Sequence, residues 1–455
     1  MRTLLPSLLC CALVAACHDG SPPTAPLERP TPDAPRLALI TTGITDLGTV
    51  GADAAFASAI NDFGQVVGSA VYANSINAFL WANGATTVFS GAGSSASAKG
   101  INNLGHIVGS SGSTAVVWLN GTEVVLGGLP SGGFSEATAI NELGQIVGEG
   151  LDAASKGRAI QWVNGVATDL GTLGGDASGA KDINEVGQIV GTAVDGAGRS
   201  RPALWVNGTP TDLGTLGGAT GNAAAINDLG QIVGRSETGT PGVLHATLWQ
   251  NGTATDLGTS SLPSSASDIN QLGQIVGSRT DQFGVSHAVL WMDGSVYDLG
   301  DLPGTTNGSD AVSINDLGEV VGYASNIVRW QVALRAAIDA VPGDATNAIK
   351  TAGGGTVSVT VLGSRWFDAA QIDARTVTVG NEDGTDTPVT RKKNGQPTAT
   401  LRDVNRDGYA DLALEFDKKQ LTNNGDLSAS TSQLVLLGTR LDGRRVRGVD
   451  EVTVQ

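Results

Sequence analysis

Cysteine is almost missing from this 455-residue chain: its three copies, Cys10, Cys11 and Cys17, all lie in the first 17 residues. The rest of the chain therefore has no thiolate nucleophile, no disulfide and no cysteine metal site. Charge is scarce at 16%, and basic residues are outnumbered 27 to 44, for a net charge of −17. Such a balance excludes a nucleic-acid or anionic-membrane surface, both of which need basic patches. Aromatics make up 4% and histidines number four. Beyond the N-terminus no apolar run is long enough to span a bilayer. Glycine, by contrast, is abundant at 64 residues, which favours tight turns between short strands.

The N-terminus reads as a leader. One basic residue, Arg2, precedes an apolar run from Leu4 to Ala15, and small residues lead to Cys17. Val14-Ala15-Ala16-Cys17 resembles a bacterial lipobox, which implies a signal peptide over 1–16 and a lipid on the Cys17 sulfur. Ordinary cleavage near Ala16 is the other reading. By lipoprotein sorting rules, His18 in place of an aspartate implies the outer membrane. Residues 17–36 are rich in proline and polar residues and read as an extended tether.

What fills the chain is one phrase, Ile-Asn-x-x-Gly-(Gln/His/Glu)-(Ile/Val)-Val-Gly. It starts at Ile60, Ile101, Ile140, Ile183, Ile226, Ile269 and Ile314, at intervals of 41, 39, 43, 43, 43 and 45 residues. A period of this size marks a repeat architecture. In the fifth copy, Ala223–Asn227 is a short strand, Asn227-Asp228-Leu229-Gly230 a turn and Gln231–Gly234 a return strand. Ala246–Trp249 is a third strand, Asn251-Gly252 a hairpin signal and Thr255–Gly258 a fourth strand. Each unit is thus a meander of four short strands. A tryptophan ends the third strand of every copy: Trp81, Trp118, Trp162, Trp205, Trp249, Trp291 and Trp330. These read as core residues between units.

A four-stranded sheet this small cannot cover both of its faces alone. Seven copies stacked radially predict an all-β, seven-bladed β-propeller over 37–331; an open β-solenoid is the rival. The last copy lacks a fourth strand, and Ile44–Gly48 could supply it and close the ring. Asp-Leu-Gly-Thr-Leu-Gly-Gly (169–175 and 212–218), Ile-Asn-Asp-Leu-Gly-Gln-Ile-Val-Gly (226–234) and His-Ala-x-Leu-Trp (245–249 and 287–291) resemble the HAF family of extracellular repeat proteins. The resemblance covers about 38–331 and implies an exported repeat protein without an established activity. It departs in the second and third units, where Val88–Gly91 and Val125–Gly128 replace the Asp-Leu-Gly strand.

After Trp330 the period stops. Residues 332–455 read as a separate domain with alternating strands at 357–362, 376–379, 411–416 and 433–437. It resembles a β-sandwich module of exported bacterial proteins. Asp403, Asn405, Asp407, the Tyr409 carbonyl and Asp411 have the alternate spacing of a calcium loop, with Gly408 at its bend. Leu414 stands where a bidentate glutamate would complete an EF-hand, so the expected Ca²⁺ is structural.

No nucleophile elbow or phosphate loop is present. Asp169, Asp212, Asp256 and Asp298 share one repeat position and read as turn hydrogen-bonders. The loops between Val-Gly and the tryptophan strand vary most, and Arg158, Arg201, Arg235 and Arg279 lie in them as a candidate rim for a glycan or protein. The combined expectation is a monomeric, lipid-anchored envelope protein that binds or scaffolds and is not an enzyme. A propeller hydrolase acting on polysaccharide and a passive spacer are the alternatives. Two carboxylates that break the repeat inside a funnel, about 5–10 Å apart, would mark the hydrolase.

Overall fold

The computed structural model describes residues 39–454 apart from 91–94, 131, 259–260, 293, 306–307, 337, 343–346, 351–353, 364–367, 382–383, 407 and 442–444. Strand β1 is Leu39–Gly48. The first repeat then forms one antiparallel sheet of β2 (Ala54–Ile60), β3 (Val66–Tyr72), β4 (Ser75–Ala82) and β5 (Ala85–Phe89). Five more sheets of the same meander follow: β6 to β9 between Ala96 and Val125, β10 to β13 between Ser135 and Asp169, and β14 to β17 between Gly174 and Asp212. The last two are β18 to β21 between Gly217 and Asp256 and β22 to β25 between Ser264 and Asp298. The seventh consists of β26 (Asp310–Ile314), β27 (Glu319–Ala324), β28 (Asn326–Ala336) and, as fourth strand, β1.

First strands of successive sheets touch around the whole circle, including β2 against β26, so they line a central channel. The fold is a β-propeller closed by its N-terminal strand. β1 runs antiparallel to β28 from Leu39 opposite Leu334, through Ile44 opposite Trp330, to Gly48 opposite Ile327.

The repeated phrase is legible as packing. Every first strand carries a bulge just before its Ile-Asn pair, as at Ala57/Ala59 and Ala223/Ala225. The glycine of Val-Gly lies against that bulge. A Cβ on Gly234 would collide with the Asn222 carbonyl, and one on Gly68 with that of Phe56. In the hairpins, Asn251 and Gly252 have φ of 52° and 75°, the type I′ turn that Asn-Gly favours.

The tryptophans pack between sheets. Trp118, Trp205 and Trp330 are fully buried, and the indoles of Trp162, Trp249, Trp291 and Trp330 donate to carbonyls of the preceding unit, at Gly127, Gly214, Leu257 and Gly300. Trp81 is half-buried beneath the Arg329 guanidinium, 5.6 Å from its ring centre.

Strand β28 does not stop at Trp330. It continues to Ala336 and pairs in parallel with β37 (Arg445–Glu451), so the position expected for a domain boundary lies inside a strand. Beyond it, β36 (Gln433–Thr439), β32 (Thr378–Asn381) and β33 (Gly384–Pro388) extend that sheet. A second sheet contains β29 (Ile338–Asp339), β31 (Thr356–Val361), β35 (Asp411–Asp417) and β34 (Ala399–Arg402). Val359, Leu414 and Phe416 of one sheet share a core with Leu434, Leu436 and Val446 of the other.

Candidate functional site

In the channel the repeat is broken by charge at one equivalent position. The residue before each Ile-Asn pair is Ala59, Gly100, Ala139, Asp182, Ala225, Asp268 or Ser313. Asp182 and Asp268 therefore put two carboxylates where the other units have small residues. Both line a cavity of about 240 Å³ together with Lys99, Thr138, Lys181 and Ser267.

Each carboxylate ties two sheets together. Asp182 accepts the amide of Ile183 with Oδ1 (2.8 Å) and that of Ile226, in the next sheet, with Oδ2 (2.8 Å). Asp268 accepts from Ile269 (2.8 Å), from Ile314 of the next sheet (2.9 Å) and from the Ser313 hydroxyl (2.7 Å). Protein crowds both groups, although each keeps some surface open to the channel. Loss of water pushes the Asp182 carboxyl up to about 7; the neighbouring Asp268 charge adds to this and the amide donors oppose it. Burial likewise raises Asp268 to about 6 against its hydrogen bonds, with the Asp316 charge adding to the rise. The lysines of the channel are committed to carboxylates, Lys99 to Glu136 (3.6 Å) and Lys181 to Glu149 (3.2 Å).

The four arginines expected in variable loops lie on strands instead, Arg158 and Arg201 on third strands and Arg235 and Arg279 on second strands, and each has a partner there. Arg158 pairs with Asp152 (2.8 Å) and Asp169 (3.3 Å) and donates to the Asp176 carbonyl (2.7 Å). Arg201 pairs with Asp212 (2.8 Å) and donates to the Ala219 carbonyl (2.8 Å). Arg235 donates to Asn222 (3.0 Å), and Arg279 lies 3.7 Å from Asp298. In the fifth unit His245 replaces the arginine and holds Asp256 at 2.9 Å. The repeated aspartates close their own turns as well: Asp169, Asp212, Asp256 and Asp298 accept the amide of the glycine two residues on.

In the C-terminal loop, Asp411 is buried at the start of β35 and already saturated by amides. Its Oδ1 accepts from Gly363 (2.7 Å), and its Oδ2 from Val404 (2.7 Å) and Asn405 (3.4 Å). Asp403 accepts from Gly408 (3.0 Å). Asp411 thus fits a scaffold better than an ion ligand. Asp403, Asn405 and Tyr409 lie in the same loop, between β34 and β35. Asp407 and Cys17 lie outside the described residues.

No protein-family model matches the chain, and no curated protein matches it. Among solved structures it is similar to a puromycin-hydrolyzing peptidase of Mycobacterium tuberculosis (11% identity, TM-score 0.46), covering 72% of this chain and 61% of that one. It is also similar to a protein assigned as a gluconolactonase (13% identity, TM-score 0.31), covering 50% of this chain and 85% of that one. A third is the β-propeller domain of the Trilobed protease from Pyrococcus furiosus (11% identity, TM-score 0.31), which has an open velcro topology; there the shares are 55% and 99%. These likenesses report architecture. The chain spans less than two thirds of the peptidase.

The expectation of a chain that is not an enzyme is corrected by these likenesses. The propellers it is similar to bear the names of enzymes. Its channel also holds a pair of repeat-breaking carboxylates, which the reading of the sequence did not single out. Alignment of the seven copies on Ile-Asn would have exposed Asp182 and Asp268. That they share one channel is a fact of ring closure.

Proposed function

We propose that this chain is a propeller hydrolase acting on polysaccharide, with Asp182 as proton donor and Asp268 as its carboxylate partner. The observation that carries the reading is the pair itself: two carboxylates unique among seven equivalent positions, in one cavity, with proton affinities raised to different values. Lost hydration raises both, Asp182 further than Asp268, so Asp182 is the carboxyl that keeps its proton longer as pH rises. That division of labour is what acid–base cleavage of a glycosidic bond requires.

Export, lipid attachment at Cys17 and kinship with the HAF repeat proteins belong to the same proposal and rest on the leader and the repeated phrase. So does a structural calcium ion held by Asp403, Asn405, Asp407 and Tyr409, with Asp411 shaping the loop.

The test is release of reducing ends from a panel of polysaccharides by the full chain. Asp182→Ala and Asp268→Ala place in the channel a residue that other units already carry there. Each should lower turnover by about a hundredfold or more. Turnover that survives both substitutions, or none on any polysaccharide, would remove the hydrolase reading.

A further inference from the structure

One end of the propeller carries an apolar crown. The turn after each first strand runs Asn-x-x-Gly, and its third residue is apolar in all seven copies. Phe63, Leu104, Leu143, Val186 and Leu229 are 61–70% exposed there; Leu272 and Leu317 complete the circle with less exposure. In an up-and-down meander the third turn of each sheet lies at the same end as the first. Val163, Val166 and Val206 beside those hairpins are 40–64% exposed as well. Isolated exposed leucines need no explanation, but apolar residues at seven equivalent turns, five of them strongly exposed, do.

Within the crown lies a second ring, of one charge. The second turn residue accepts the backbone amide of its counterpart in the preceding unit, and in five turns it is acidic: Asp62, Glu142, Glu185, Asp228 and Asp316. These bonds engage one oxygen of each carboxylate, and the second oxygen of Asp62 accepts from Asn103 Nδ2 as well (2.8 Å). None of the five makes an ion pair with Lys or Arg among the described residues, and none of the seven turns contains either residue. Burial, with the neighbouring Asp62 and Asp228 charges adding to it, raises the Asp316 carboxyl above its ordinary value.

We infer that this end of the propeller docks a basic polypeptide segment bearing apolar side chains. The occupant follows from charge complementarity. A second copy of the same face would set two carboxylate rings against each other, and an anionic lipid surface would meet the same repulsion. Lysine or arginine on a strand or helix answers the carboxylates, while its neighbouring leucines or aromatics cover the crown. Both chemistries occur together on a polypeptide. The inference is independent of the hydrolase reading, because it is tested by binding alone.

The probe is a labelled peptide of alternating lysine and leucine, with a glutamate–leucine peptide as control, titrated against the full chain by fluorescence anisotropy. Saturable binding of the lysine peptide alone is expected, weakening about tenfold between low and physiological salt. The exposed double variant Leu143→Asp/Leu229→Asp should lose about tenfold or more in affinity. Glu142→Gln/Glu185→Gln keeps the amide-accepting oxygens and should weaken binding severalfold and flatten the salt dependence. Absence of saturable binding, equal binding of the control peptide, or binding unchanged in both variants overturns the inference. So does crown-dependent dimerisation, or uptake on phosphatidylcholine vesicles, without peptide binding.

Discussion

Asn315 donates from Nδ2 to the main-chain oxygen of Asn61 at 2.9 Å, across 254 residues of sequence. The same bond joins each earlier repeat to the next, from Asn61 to the carbonyl of Asn102 and on to Asn270 with that of Asn315, so seven buried amides form an unbroken circle. Each asparagine also serves its own turn. Asn227 Oδ1 accepts the amides of Leu229 and Gln231, and its second Nδ2 hydrogen goes to Gln231 Oε1. The repeated phrase is therefore a device for joining units as much as for turning the chain.

Asn227→Ala should cost about 2–4 kcal/mol, because it strands a buried carbonyl and two amides at once. Leu229→Ala, two residues away but exposed, should change stability by less than about 0.5 kcal/mol. Chemical denaturation of the two variants checks the contrast.

Gly234→Ala drives a methyl into the Asn222 carbonyl at the bulge. A loss of about 2 kcal/mol or more is expected, as for other overpacked sites. An unchanged midpoint would show that the first strand shifts freely.

Closure of the ring by β1 is also testable. Ile44 lies opposite Trp330 and packs against the adjoining core. Ile44→Asp should raise amide exchange in β28 and β26 before the middle sheets are affected. Uniform exchange across all seven sheets would argue that β1 contributes little.

The channel acids set a pH dependence. In the unfolded chain both aspartates ionise near 3.8, whereas in the fold Asp182 keeps its proton to about 7 and Asp268 to about 6. Between those limits the folded state binds more protons, so stability should fall as pH rises from about 4 to 7. Asp182→Ala should flatten that slope and raise the melting temperature at pH 8 relative to pH 5. The lowered carboxylates of Asp195 and Asp281 lose their stabilisation only below about pH 4, outside this window.

In the C-terminal loop, Asp411→Ala should destabilise with or without calcium, since its oxygens hold backbone amides. Asp403→Ala should abolish any rise in melting temperature produced by millimolar calcium, over and above the modest loss from its bond to the Gly408 amide. A calcium response that survives Asp403→Ala would remove the ion from this loop.

The seven Ile-Asn phrases, the tryptophan at each third-strand end and the Asn-Gly hairpins are local instructions. Each acts within one unit, through turn preference, alternation or a missing side chain, so strand order and number of units were readable from the chain alone. The turn role of Asp169 and its equivalents was readable for the same reason. What a repeat unit does not contain is its neighbour. That Asn315 would meet Asn61, that β28 would pass from the seventh sheet into the C-terminal one, and that Arg158 and Arg201 would spend their charge on Asp169 and Asp212 all depend on contacts between distant segments. Asp182 and Asp268 show the division most clearly. Their departure from Ala, Gly and Ser is written in the sequence, but only closure of the ring places both carboxylates in one channel, where crowding by protein raises their proton affinity.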